Sequence, residues 1–376
     1  MKKKCKSSFG IFLFCLFSSN TFAQDKPKLQ IGGALRFNYV YSSWKEEQKE
    51  QGGTFGYDMF RINAKASYKN VYMDAEYRLY SNAFGGGFLK QAWVGYRFNE
   101  QEEIQLGLAS VPFGIQQYNS HNWFFNLTYY VGLEDDHDMG LKYVHLGKRW
   151  EYYLAFFKNA EDLNFAENTE HDLSRYSYDI VGRNKEINQF NTKIIYNYGK
   201  AWKQRLGFSG QYGYLYNIDT DSKGNHNALA LHYEVDYKDW NLKTEAIHVA
   251  HNPENEDGNN EIVQMGAYGA PYEVASDFNM FTMAVSKTVQ IEWGPLSDIQ
   301  FYNDFGYMQK TEAGFSDSFM NVTGALFHIG QIYMYVDYAA GRNHSWLGGN
   351  FVNDFSNGDP ESKWEARLNI NIGYYF

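Results

Sequence analysis

Cysteine is almost missing. Cys5 and Cys15 are the two in 376 residues, and both precede residue 24. A chain cut after Ala23 would have none, which excludes disulfides and thiolate metal sites. Proline is scarce, at six residues. After residue 23 no apolar run approaches the ~20 residues of a transmembrane helix. Positive charge is in deficit, with 34 Lys and Arg against 44 Asp and Glu, a net charge of −10. Nucleic acid is therefore not an expected partner, since phosphate binding calls for surplus Lys and Arg. Charged residues, at 21%, are too few for a coiled coil. Aromatic residues instead reach 19%, with 32 Tyr and 29 Phe beside 34 Gly, a composition that argues against disorder.

The N-terminus addresses the chain. Lys2, Lys3, Lys4 and Lys6 precede an apolar run from Phe9 to Phe17, and Thr21-Phe22-Ala23 offers small residues at the cleavage positions. This pattern predicts a secretory signal over residues 1–23, cut after Ala23. The run is too short for an anchor helix. Cys15 follows Phe14, so a lipoprotein cysteine lacks its small neighbour. Removing four lysines and no acid leaves 30 basic against 44 acidic residues, a net charge of −14.

From residue 24 to residue 376 the period is two. Leu29, Ile31, Leu35, Phe37, Tyr39 and Tyr41 oppose Gln30, Arg36, Asn38 and Ser42. Phe60, Ile62, Ala64, Ala66 and Tyr68 oppose Arg61, Asn63, Lys65 and Ser67. Residues two apart lie on opposite sides of a helix, so these are strands with one apolar and one polar face. Further runs fall at about 71–79, 87–98, 103–111, 138–147, 149–158, 187–199, 203–216 and 225–238. Others fall at about 240–250, 276–290, 296–307, 315–330, 331–341 and 364–376. The spacing predicts sixteen strands, with a break at Gly330. Connections alternate between short ones, such as Lys69-Asn70 and Lys238-Asp239, and long polar ones at 42–54, 112–137, 159–186, 251–275 and 342–363. With the N-terminus inside, every long connection falls outside. This predicts an all-β fold, a transmembrane antiparallel barrel of about 16 strands with short periplasmic turns and long extracellular loops. The last strand ends on Tyr374-Tyr375-Phe376, and aromatics at other strand ends suit membrane-interface girdles.

The pattern resembles a Gram-negative porin, and specifically the phosphate-selective porin O and P family. The resemblance rests on the signal, the sixteen-strand plan, the terminal Phe376 and the segment Leu106-Gly107-Leu108-Ala109-Ser110-Val111-Pro112-Phe113-Gly114-Ile115, followed by Trp123-Phe124-Phe125. It implies a homotrimer in outer-membrane lipid, a loop after the fifth strand folded into the pore, and a basic ladder guiding anions. No cofactor is expected.

Sixteen strands enclose an aqueous channel, so the inward parity is the functional surface. It offers Arg36, Arg61, Lys65, Arg78 and Arg97, and barrel closure adds Arg367: a basic wall. Opposite, Glu234, Asp236, Glu245 and Asp304 form an acidic wall, with Lys243 alone among them. Two readings follow: a transverse field that orients solutes, or charges that pair with neighbouring strands and only solvate the lumen. The loop at 112–137, with Pro112, Phe113 and Gly114 at its start, ends in Glu134-Asp135-Asp136-His137-Asp138. As a constriction loop it would set acids opposite the basic wall. The same run reads also as a solvated charge cluster or, more weakly, as calcium ligands. Asp219 to Gly224 begins like a calcium loop, but Lys223 and Ala230 stand where ligands belong, so it is no EF-hand. The outer loops are acidic, through Glu46, Glu47, Glu50, Glu161, Asp162, Glu167, Glu170, Glu254, Glu256 and Asp257. That vestibule repels anions, which favours broad passage of small hydrophilic solutes or ions over phosphate alone. Two other classes stay open. One is an adhesin or structural barrel with a filled lumen. The other is a hydrolase using Ser209, although Gly207-Phe208-Ser209-Gly210 lacks the G-x-S-x-G spacing.

Overall fold

Alternating strands with an apolar face must bury every backbone group, and closure does so without leaving an edge. In the computed structural model, which describes residues 26–376, the chain closes in this way. The expected signal over residues 1–23 lies outside the described residues. The wall begins with β1 (Lys28–Ser42), β2 (Thr54–Tyr68), β3 (Val71–Leu79) and β4 (Gly87–Arg97). It continues through β5 (Glu102–Ser110), β6 (His137–Leu146) and β7 (Trp150–Asn159). After the short strand β8 (Asp179–Ile180) come β9 (Asn184–Tyr198), β10 (Lys203–Asn217), β11 (Lys223–Tyr237) and β12 (Trp240–Asn252). The hairpin of β13 (Ile262–Ala267) and β14 (Ala270–Ala275) precedes β15 (Asp277–Trp293) and β16 (Leu296–Lys310). The last strands are β17 (Ser318–Ile329), β18 (Ile332–Arg342) and β19 (Glu365–Tyr375).

Sixteen of these make one closed antiparallel barrel, and β8, β13 and β14 form a separate three-stranded sheet. Closure pairs Leu35 with Tyr374, and the final residue exchanges hydrogen bonds with Gly33 at 2.9 and 3.1 Å. A Cβ at Gly33 would stand 2.7 Å from the Phe376 ring, so the seam needs glycine there. The break at Gly330 holds, as a turn between β17 and β18. The exterior is apolar: Leu106, Leu154 and Leu231 are 57%, 55% and 56% exposed. An exposed apolar belt of this extent belongs in hydrocarbon. Aromatic pairs mark both of its rims, with Trp202 on Tyr237 at 4.3 Å and Tyr307 on Phe319 at 4.9 Å.

Three features depart from the expected pattern. Strand β2 starts at Thr54, not near Phe60, because a bulge beside Arg36 and Phe37 breaks the alternation at Asp58. The loop before β2 holds a short helix, α1 (Glu46–Gln51). The long loops at 159–186 and 251–275 are not structureless, since they carry β8, β13 and β14. Their cue was present in the sequence. Val263, Met265 and Ala267 alternate up to Tyr268-Gly269, a two-residue turn with both φ angles positive, as a hairpin of this twist requires.

Candidate functional site: the lumen and its folded loop

The basic wall is present, and most of it is paired. Arg36 meets Asp58 at 2.8 Å, Arg78 meets Glu76 at 2.5 Å, and Arg61 reaches Glu76 at 3.5 Å. Lys65 lies 3.2 Å from Asp74, and Arg97 lies 3.6 Å from Glu103. Arg367 instead bonds the Ser42 hydroxyl at 3.1 Å and covers the Trp44 ring. Lys65 and Arg97, toward the short-turn end, stay open to water with side chains 61% and 55% exposed. Two partners escaped the parity reading. Bulges at Asp58 and at Lys90 turn side chains inward that strict alternation would point outward.

The acidic wall is not a free surface. Glu234 is neutralised by Arg205 on the adjacent strand at 3.1 Å. Asp236 stays exposed and accepts from the Asn241 amide at 2.7 Å. Glu245 and Asp304 are buried under the loop between β5 and β6, and they hold it. Asn119 Nδ2 donates to Glu245 at 2.6 Å. The backbone N–H groups of His121 and Asn122 donate to Asp304 at 2.7 and 3.1 Å, and Asn122 Nδ2 adds a third bond at 2.7 Å. Trp123 N–H reaches Asp337 on β18 at 3.3 Å. Lys243 Nζ donates back to the carbonyls of Tyr118 and Ser120. Gly114, in the Pro112-Phe113-Gly114 segment, has φ +54°, and a Cβ there would stand 2.2 Å from Glu245 Oε1. Glycine thus lets the loop backbone lie on that carboxylate. The loop crosses the lumen and seats against β10 to β18, because that wall offers buried acceptors for its unpaired donors.

The acids at the loop's end therefore do not line a gap opposite the basic wall, which corrects that expectation. Glu134 turns into the loop, accepting from Asn119 N at 2.8 Å and Thr128 Oγ1 at 2.5 Å. Burial pushes its carboxyl up to about 8. Asp135 does meet the basic side, bonding Lys90 at 2.6 Å and the Tyr176 hydroxyl at 2.5 Å. Burial pushes its carboxyl up, but Lys90, His137 and the Tyr176 hydroxyl together outweigh that and hold it below the usual carboxylate range. Asp136 and Asp138 turn the other way, toward Asp179 of β8.

The outer mouth is packed. The hairpin of β13 and β14 rises between β12 and β15, and its Tyr268-Gly269 tip reaches Gly85 in the loop between β3 and β4, eight strands round the barrel. There the Tyr268 ring packs on Tyr80, Phe88, Tyr176 and Tyr178, with centroids 5.2 to 6.0 Å apart. Its hydroxyl meets that of Tyr129 at 2.6 Å, where α2 (Leu127–Tyr130) lies in the folded loop. Ser209 sits beneath this mass, fully buried, with its hydroxyl accepting from Gly114 N–H at 3.1 Å.

A closed sixteen-stranded barrel with a loop folded into its lumen is the architecture of the Gram-negative outer-membrane porins. No family model matches the chain, and no curated protein matches it. Solved structures do. OmpT, an outer-membrane protein of Vibrio cholerae in its trimer form, is similar at 12% identity over 94% of this chain and 100% of that one, with a TM-score of 0.59. The anion-selective porin from Comamonas acidovorans is similar at 10% identity over 93% and 100%, TM-score 0.57. The outer-membrane channel DcaP of Acinetobacter baumannii is similar at 11% over 93% and 97%, TM-score 0.58. At these identities the likeness is one of fold.

Proposed function

We propose that the chain is an outer-membrane diffusion channel for small hydrophilic solutes or ions, acting as a homotrimer. The observation that carries this reading is the wet, charged lumen of the short-turn half, within a barrel whose exterior is apolar. Anions, phosphate among them, are candidate solutes on the strength of Arg36, Arg61 and Arg78, but each of these cations already faces a carboxylate. That pairing favours weak selectivity over a dedicated phosphate site. The trimeric, anion-selective and channel character of the similar structures agrees with this reading. Purified protein in a planar bilayer under a potassium chloride gradient tests it. Stable conductance is expected, with a small reversal potential and little block by added phosphate. Strong block by phosphate would establish the narrower anion function, and no conductance would remove the channel reading.

A second reading has its own support. The aromatic packing of the outer mouth suits a structural or adhesive barrel with a filled lumen, and the same conductance experiment separates the two. A hydrolase reading has less support, because Ser209 is covered by the loop rather than presented to a substrate.

A further inference from the structure

Asp136 ends the folded loop, Asp138 is the second residue of β6, and Asp179 opens β8. One carboxylate oxygen from each lies within 4.8 Å of the other two, and all three residues are at most 5% exposed. That separation is the span of two oxygens across an ion bound at ~2.4 Å. A second feature points to a ligand. Asp138 Oδ1 is buried and accepts no hydrogen bond, although the residue is only 2% exposed. A buried, unpartnered carboxylate oxygen is costly unless a cation or a proton compensates it. Arg175 supplies one positive charge nearby, with Nη2 bonded to Glu161 and, at 2.6 Å, to Asp179, while its other two guanidinium nitrogens make no hydrogen bond. Among the described residues neither Asp136 nor Asp138 forms an ion pair, and that one charge is shared among four carboxylates.

We propose that Asp136, Asp138 and Asp179 bind a divalent cation of the calcium class. The donor set is all oxygen, with no thiolate and no imidazole, which suits a hard cation rather than zinc or copper. The remaining coordination positions fall to water. The ion would join three parts of the molecule: the exit of the folded loop, the wall at β6, and the β8–β13–β14 sheet that crosses the mouth. It would thus clamp the mouth to the wall.

The test uses the full mature chain refolded in detergent without lipopolysaccharide, treated with chelator and titrated with calcium chloride alone. Calorimetry should show one saturable site. Asp138→Asn, which costs no hydrogen bond, should weaken binding by roughly tenfold or more. Asp257→Asn, on an exposed loop, should leave it unchanged. The heat-induced shift in gel mobility should occur at higher temperature with calcium than with chelator in the wild type, but not in Asp138→Asn. Absence of saturable binding in the wild type, or equal affinity in Asp138→Asn, overturns the proposal. If Asp138→Asn does not fold, terbium luminescence sensitised by Tyr176 and Tyr178 in the wild type decides. Signal displaced by calcium supports the site, and no signal overturns it.

Discussion

The two halves of the lumen are built from the same strands and behave as different materials. Along β12 the inward side chains pass from Asn241 and Lys243 to Ile247 and Val249. Along β16 they pass from Asp304 to Met308, and along β15 from Ser286 to Met280 and Phe278. The outward parity is mainly apolar, interrupted by polar pairs such as His248 with Asn279 and Asn303 with Thr323. Toward the short turns the inward residues are charged and partly wet. Toward the outer rim they are buried, and the loops lie on them as a lid lies on a core. The inward face of a barrel is thus not polar by rule. It is polar where water fills the lumen or where a loop's donors need acceptors, as at Glu245 and Asp304, and apolar where the loops pack side chains on it. Each large side chain buried in the outer half contributes about 1.5–3 kcal/mol, so the folded loops are held by a core of their own.

Removing the strap that spans the outer half should break this contrast most strongly. The ends of the hairpin already meet, with Ser276 N–H donating to the Glu261 carbonyl at 2.8 Å. Replacing residues 262–275 with two glycines should leave the barrel intact and raise single-channel conductance several-fold. Unchanged conductance in a folded variant would show that the constriction lies deeper, at the loop between β5 and β6. The next effect concerns that loop. Asp304→Ala withdraws the acceptor from four loop contacts, two of them backbone N–H groups and one the His121 ring, at a cost of about 2–4 kcal/mol. Lower thermal stability together with noisier conductance is expected. A quiet channel of wild-type stability would mean that the loop does not depend on the acidic wall.

A pH dependence sharpens the contrast at the buried end. Folded Glu134 keeps its proton to about pH 8, whereas the unfolded chain releases it near 4.5. The folded state binds more protons between those values, so this group's stabilisation is full below pH 4.5 and is lost as pH rises through 8. Glu134→Gln should flatten that slope, by up to ~3–4 kcal/mol between pH 5 and 8. Asp135 acts with the opposite sign and in a lower window. Its depressed carboxyl stabilises above the unfolded value of 3.8 and loses that contribution on acidification. Parallel thermal-stability curves for wild type and Glu134→Gln would show that Glu134 is ionised in the fold.

Periodicity carried the wall and little of what fills it. Alternation is a local property, and it located the strands, the closure at Phe376 and the break at Gly330. It also placed Arg36, Arg61, Lys65 and Arg78 on one face. It failed where a single extra residue resets the parity, so Asp58 and Lys90, partners of Arg36 and Asp135, went unseen. Lys193 and Arg205, which sit beside the acidic wall, are inward by simple parity and were legible without being read. The seat of the folded loop was not legible at all. Asn119 and Glu245 are 126 residues apart, and no local pattern links them. The apolar inward residues of the outer half were the available cue, since an apolar side chain facing a lumen needs something to cover it.

The smallest expected effect tests the basic wall itself. In the triple variant Arg36→Gln, Arg61→Gln and Arg78→Gln, three positive charges go while Asp58 and Glu76 remain, so the local charge changes sign. The reversal potential should move toward cation preference, because Asp58 and Glu76 lose the three arginines that outnumber them. The shift should grow as salt falls from 1 M to 0.1 M, since the screening length lengthens from about 3 to about 10 Å. Neutralising Lys65 and Arg97 should move it less, because both are more exposed and more screened. If Lys65→Gln with Arg97→Gln shifts selectivity more than the arginine triple, the field that ions feel lies at the wet end of the channel, and the arginines serve to hold Asp58 and Glu76 in place.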